Sequence, residues 1–445
     1  VYRPAHYLRK YHARYKDTAK LNAKAKKKGQ RNWAALHNKL DHQYKNKNIR
    51  LPSLQPWVNT TKGPSEQYVF ERNPYYHKVD PDGRQLPYID QVVFGIASSN
   101  IIPAKVGTGQ ADLQARYLRF DNFTFLKRNE KKSGFNTRLW RTGKGAHMAL
   151  FPNLNTNDPV WRKLLRDVRF RRAISLAVNR HELNRVIYFG LALEAQNTVL
   201  PGSPLFRDKY QKSWAKYDIA EANRQLDSIG LEKRDDRGIR LLPDGRPLDI
   251  IVESTGESTE EADVLELIQD SWALIGAKLH TKPTQREVMR NRIYAGETVM
   301  SISSGLENGL PTADMDPEDL APTSQVQYQW PKWGQRHETM GNMGEAIDMP
   351  EPKRLKVLHK KWLRATSTDA RRTIWHEMLK IHADQVYSIG LISGVLQPIV
   401  VRNTLKNVPV KAIYTWLPCA QFGMYEPDSF WFTDTSPPKK QATYR

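Results

Sequence analysis

The stretch from Leu248 to Lys282 constrains the fold more than any other part of the chain. It opens with an apolar strand, LDIIVES, passes through a helix and closes with a second strand, AKLHTK. Ser258 and Glu261 have the spacing of a capping box, in which a hydroxyl and a carboxylate each satisfy a free backbone N–H at a helix start. Val264, Leu267, Ile268, Trp272 and Ile275 follow at helical spacing, and Gly276 ends the helix. Two neighbouring strands joined through a helix run parallel, with a right-handed crossover. The chain is therefore expected to build an α/β fold around a partly parallel sheet. A helix over 285–296 and a strand over 298–303 continue the same pattern.

The rest of the chain fits around this unit. Asp167 caps one helix, Asn179 starts the next, and Gly190 stops it. Asp218 and Glu221 mark a further helix over 218–230. Strands are expected near 66–72, 91–97 and 145–152, helices over 351–387, and strands again over 390–432. A chain of 445 residues exceeds one compact core, so two or more lobes are expected.

Residues 304–350 break the periodicity. A loop this long inside a lobe is usually ordered around a function or not ordered at all. This one mixes Glu307, Asn308, Asp314 and Asp316 with Trp330 and Trp333. Carboxylates and amides that bind hydroxyls or amines, beside indoles that stack, suit a peptide or a sugar. The competing reading makes both tryptophans core residues beneath the loop. The carboxylates also admit a glycosidase pair, whose separation a sequence does not give.

Motifs for other chemistry are missing. GTGQAD at 107–112 lacks the third glycine of a dinucleotide fingerprint, and no Walker A sequence or GxSxG elbow is present. His376-Glu377 lacks the second histidine of a zinc protease, since Lys380 stands in its place. No catalytic residue, metal or cofactor is expected. Cys419 is the one cysteine and is expected in the core. No run of about 18 apolar residues is present, and Val1 to Arg50 holds no apolar signal-peptide core.

The formal charge is +22, and residues 1–50 hold 15 Lys and Arg against 2 Asp and Glu. The simplest reading of this region is a solvated basic helical face. The alternative is a surface for nucleic acid or anionic membrane. No zinc-finger spacing, RNP motif or zipper supports a nucleic-acid module.

Four segments carry a resemblance. They are ERNPYYHKVDPDGRQLPYIDQVVFGI, KVGTGQADLQ, NLNTNDPVWRKLLRDVRFRRAISLAVNRHEL, and VLPGSPLF followed by YDIAEANRQLDSIGL. In this order they resemble the family 5 extracellular solute-binding proteins of ABC importers. The resemblance implies a type II periplasmic-binding-protein clamp of mixed sheets flanked by helices. Residues 1–125 would be part of domain I, 126–389 domain III, and 390–445 a return to domain I. An N-terminal part and domain II of that family would be lacking. It implies a non-enzymatic, extracytoplasmic or periplasmic monomer whose partners are a small ligand and an ABC importer permease, with no nucleic acid. TADMDP resembles the segment whose Asp meets a peptide's amino terminus, which gives that role to Asp314. Thr312 and Met315 depart from the pattern. QYQWPKW, GNMGEA and FGMYEPDSFWF resemble a subgroup that includes α-galactoside binders. For such a ligand Trp330, Trp333 or Trp416 would stack on sugar faces, and Glu307 and Asn308 would take hydroxyls.

Overall fold

The computed structural model describes residues 3–42, 48–257 and 259–433. The strand–helix–strand unit forms as its pattern requires. Asp249–Ser254 and Lys278–Pro283 pair in parallel from Asp249↔Lys278 to Ser254↔Pro283, with helix Thr259–Ala273 between them. Ser258 of the expected capping box lies outside the described residues. Glu261 accepts from the Thr255 N–H and hydroxyl, each at 3.3 Å.

The pair sits at one edge of a six-stranded mixed sheet. Its order is Leu193–Glu194, Ile389–Ser393, Met148–Pro152, Met300–Ser303, Asp249–Ser254, Lys278–Pro283. Every residue of Met148–Pro152 and Ile389–Ser393 is buried, as befits inner strands covered on both faces. Helix Val168–Leu176 packs beneath, and the Trp272 indole N–H reaches the Ile174 carbonyl at 3.1 Å. Buried Arg180 donates to the carbonyls of Gly390, Ser175 and Ala215 at 2.8–3.0 Å, which supplies the hydrogen bonds that a buried guanidinium requires.

A second, four-stranded sheet has the order Ile413–Tyr414, Phe135–Thr142, Leu396–Arg402, Leu113–Gln114. Phe135–Thr142 and Leu396–Arg402 are antiparallel partners along their whole length. Each continues directly into the six-stranded sheet, one through residues 143–147 and the other through 394–395. The two crossings run side by side. The Thr142 N–H and hydroxyl both donate to the Val395 carbonyl, at 3.1 and 2.9 Å, and Ser393 Oγ donates to the Gly145 carbonyl at 2.7 Å. The sheets thus divide at 143–147 and 394–395. Helix Phe123–Ser133 and strand Phe135–Thr142 lie with the four-stranded sheet, beyond the division drawn at 125/126 from sequence.

An antiparallel sheet of Trp57–Asn59, Gln67–Arg72 and Gln91–Gly95 joins this smaller part. Its anchor is buried Asp428, which accepts from the Tyr76 hydroxyl at 2.7 Å and pairs with Lys78 at 3.3 Å. Residues 3–42 form the expected helices, including Thr18–Lys27 capped by Asp17 and Trp33–Leu40 capped by Asn32. The stretch 304–350 is less irregular than its sequence reads, since it contains helix Pro331–Glu338. Pro331 and Gly334 read as loop residues in sequence. A proline is compatible with the first helical position, because that N–H has no partner inside the helix.

Candidate interlobe binding site

The two crossings leave the six-stranded sheet at one end. The carboxyl ends of Asp249–Ser254, Lys278–Pro283, Met300–Ser303 and Ile389–Ser393 all meet there. Segments after the carboxyl ends of strands form the usual ligand crevice of an α/β sheet. Here they face the four-stranded sheet across the crossings.

On one side lies an open concavity of about 710 Å³ formed by residues 255–257 and 283–287. Within it Arg286 forks onto both oxygens of Glu257, with Nε to Oε1 at 2.9 Å. That guanidinium holds the Glu257 carboxyl below its ordinary range. The smaller part approaches here, where Ser99 Oγ donates to the Glu257 carbonyl at 2.7 Å. Tyr117 is 36% exposed at φ +63°, with the Arg116 guanidinium 5.1 Å from its ring centre. A β-carbon makes that backbone conformation unfavourable, so Tyr117 is held there by its surroundings.

On the other side the loop 304–309 is laced to the first crossing. Gly145 N–H donates to Leu306 O, Gly305 N–H to Ala146 O, and Gly309 N–H to Gly143 O, at 2.7–2.9 Å. Lys144, on the crossing itself, donates to Ser304 Oγ at 2.8 Å and pairs with Glu307 at 3.2 Å. Thr415 Oγ1, from the smaller part, donates to the Glu307 carbonyl at 3.3 Å, and Trp416 is the next residue in the chain. Trp416 is 53% exposed.

Of the residues given a ligand-contacting role from sequence, Glu307 and Asn308 stand on the loop laced to the first crossing, and Trp416 follows Thr415, which touches that loop. Asn308 braces the loop through Oδ1, which accepts from the Leu310 N–H at 3.0 Å, and its Nδ2 lies 3.2 Å from Met315 Sδ. Asp314 is exposed and its charge is already answered. It pairs with Arg371 at 2.9 Å and accepts from the Thr368 hydroxyl at 3.0 Å, and Arg371 holds its carboxyl below the ordinary range. Trp330 and Trp333 require a correction. They are 0% and 1% exposed, 6.4 Å apart and stacked, in a core with Tyr387 and His382. Neither presents a face to a ligand in this structure. Helix Pro331–Glu338 turns both indoles inward, and Gln327 takes the Trp330 N–H at 2.8 Å.

Sequence reasoning passed over Lys144, Tyr117, Glu257 and Arg286. They stand on segments far apart in the chain, and the only signal for them was their place just beyond strand ends. Among the described residues no group of three or more His, Cys, Asp or Glu side chains is arranged to hold a metal ion, and no helix is long and apolar enough to cross a membrane.

Residues 6–321 match the sequence model described as "Bacterial extracellular solute-binding proteins, family 5 Middle". The chain is 23% identical over 433 residues to a periplasmic alpha-galactoside-binding protein of Rhizobium meliloti (strain 1021), covering 93% of this chain and 58% of that protein. It is 25% identical over 256 residues to a dipeptide-binding protein of Escherichia coli (strain K12), covering 55% of this chain and 42% of that one. The chain thus spans about half the length of these relatives. Among solved structures, the oligopeptide-binding protein OppA is 29% identical with a TM-score of 0.62, over 97% of this chain and 70% of that one. The periplasmic binding protein MelB of Agrobacterium fabrum C58, in complex with stachyose, has a TM-score of 0.73 at 18% identity, over 99% of this chain and 64% of that one.

Proposed function

The chain belongs to the bacterial extracellular solute-binding proteins, family 5, and from that premise we propose that it captures a neutral oligosaccharide of the α-galactoside class between its two main sheets. In this reading it delivers the sugar to the membrane permease of an ABC importer and acts outside the cytoplasm as a monomer.

The observation that carries the choice of ligand is the pairing of charge together with an exposed indole. Trp416, next in the chain to the Thr415 that touches loop 304–309, is more than half exposed and offers an open aromatic face. Four carboxylates of the segments beyond the strand ends have partners inside the protein, Glu307 with Lys144, Asp314 with Arg371, Asp316 with His359 and Glu257 with Arg286, while Asp319, beside Glu307, is buried with its carboxyl pushed up to about 6. A peptide brings a charged terminus that needs an unpaired carboxylate, because a desolvated ammonium without one is costly. A sugar needs an aromatic platform and groups that both give and accept hydrogen bonds to hydroxyls, which paired ions and hydroxyls supply. The relative aligned over most of this chain bears an alpha-galactoside-binding name, in keeping with the reading. Capture without turnover is proposed because the family to which the chain belongs is one of solute-binding proteins.

Calorimetry of the chain against raffinose and stachyose, and against di- to pentapeptides, tests this directly. Heat with the sugars and none with the peptides is expected. Binding of peptides alone would overturn the choice of ligand, and no binding of either class would overturn capture by this site.

A further inference from the structure

We propose that the basic helices of residues 3–42 form a docking patch for an anionic phospholipid bilayer, separate from the solute cleft. This segment carries twelve Lys and Arg against two carboxylates. Among the described residues, one of those cations is ion-paired, Arg3 with Asp41 at 3.3 Å. The other carboxylate, Asp17, caps helix Thr18–Lys27 by accepting from the Lys20 N–H at 2.8 Å. A solvated face in the rest of this molecule reads differently. Elsewhere surface arginines and lysines pair repeatedly, as Arg246 does with Asp158 and Asp244.

The charges are also gathered in space. Lys24, from helix Thr18–Lys27, lies 4.5 Å from the ring centre of Tyr11, and Lys10 lies 5.0 Å from that of Tyr7. Arg9 and Arg14 both lie over Tyr15, which is 49% exposed. Tyr7 and Tyr11 are 5.8 Å apart, and His12 links Tyr15 to Trp33 at 5.9 and 4.9 Å. Cations from two helical segments thus lie over the aromatic rings of this region, Lys10 and Lys24 over Tyr7 and Tyr11, and Arg9 and Arg14 over Tyr15.

Tyrosine and tryptophan settle at the headgroup level of bilayers, and clustered lysines and arginines are drawn to acidic lipid. Phosphates of nucleic acid share that chemistry. The choice of lipid rests on the extracytoplasmic reading above, since a protein working outside the cytoplasm meets a membrane and not a genome. A patch of this kind would hold the protein near the membrane that houses a permease.

The test is co-sedimentation of the full chain with phosphatidylcholine vesicles, with and without phosphatidylglycerol. Pelleting is expected with the anionic vesicles alone, and it should be lost as salt rises toward about 0.5 M. Changing Lys20, Lys24, Lys26 and Lys27 together to Gln should lower vesicle affinity at least about tenfold, and changing the same four to Arg should keep it. Sugar calorimetry should not move in either variant, so failure of solute capture and failure of docking are read separately. Equal pelleting on neutral vesicles, or a Gln variant that binds as before, would overturn the proposal. So would tighter binding to duplex DNA than to vesicles at equal salt. Greater release by inorganic phosphate than by chloride at equal ionic strength would mark a phosphate-ion site in place of a lipid surface.

Discussion

Trp330 sits at the start of helix Pro331–Glu338, where the chain turns its indole against Tyr387 at 5.0 Å and His382 at 5.8 Å. Burial lowers His382 to about 4, so this core holds a neutral imidazole across the physiological range. Trp330→Ala should cost about 3–5 kcal/mol of stability in urea unfolding, as large-to-small changes in a packed core do. Trp416→Ala should change stability by no more than about 0.5 kcal/mol yet weaken sugar binding at least about tenfold, because its ring is open to solvent. If Trp330→Ala spared stability and Trp416→Ala spared affinity, the two assignments would be reversed. The sequence names both indoles as stacking surfaces and leaves their exposure open, because exposure depends on elements distant in the chain. Asp319 is another residue whose state is set this way. Burial first, then Glu318 and Glu307, push its carboxyl up to about 6. A carboxyl with a raised folded pKa favours the folded state while protonated, so its contribution is lost as pH rises from about 4 through about 6. Asp319→Asn should therefore gain about 1–2 kcal/mol over the parent at pH 7 and close to nothing at pH 4, measured as the difference between the two unfolding curves. A difference that does not change with pH would remove Asp319 from this role.

The loop 304–309 is the element that brings the candidate site together, and its position follows from glycines. A β-carbon on Gly309 would stand 2.7 Å from the Gly145 nitrogen and 2.9 Å from the Gly143 carbonyl oxygen. The loop can press against the first crossing only because that β-carbon is missing. Gly309→Ala should push the loop off the crossing, lengthen the Lys144 contacts and lower sugar affinity by about tenfold or more, since misplacing binding groups by about 1 Å is costly. Calorimetry checks this, and unaltered affinity would separate the loop from binding. Much at this scale was legible in advance. The strand–helix–strand unit at 249–283 and the caps at Asp167 and Asn179 follow from local pattern, and the structure contains all of them. Helix Pro331–Glu338 was not legible, because its proline and glycine imitate a loop. The pairing of Lys144 with Glu307, and of Glu257 with Arg286, was not legible either. Each joins segments that only the sheet order sets side by side.

At the scale of the whole molecule, the two sheets are joined by the paired crossings, by the Ser99 and Thr415 contacts and by a further strap. The segment after Leu113–Gln114 leaves the four-stranded sheet and lays Phe120, 5% exposed, into the core beneath the six-stranded one. Phe120 packs on Phe189 with ring centres 5.8 Å apart. Beside it Arg119 donates to the Thr259 hydroxyl and to Asp263 at 2.9 Å, both on the helix of the strand–helix–strand unit. Two adjacent crossing strands permit bending, while this strap favours the arrangement in which the sheets approach each other. A ligand held between them binds more tightly when that arrangement is already populated, because less of its binding energy goes into reaching it. Arg119→Ala touches none of the groups assigned to the sugar, yet it should lower sugar affinity by about threefold to tenfold and enlarge the radius of gyration of the ligand-free protein in solution scattering. Asp263 is about half exposed, so screening should weaken the pair, and high salt should reproduce part of the effect in the parent. Saturating sugar should then restore the parent's radius of gyration in the variant, since a ligand that prefers the approached state draws the population back to it. A variant with unchanged scattering and unchanged affinity would mean that the Arg119 strap does not set the approach of the two sheets.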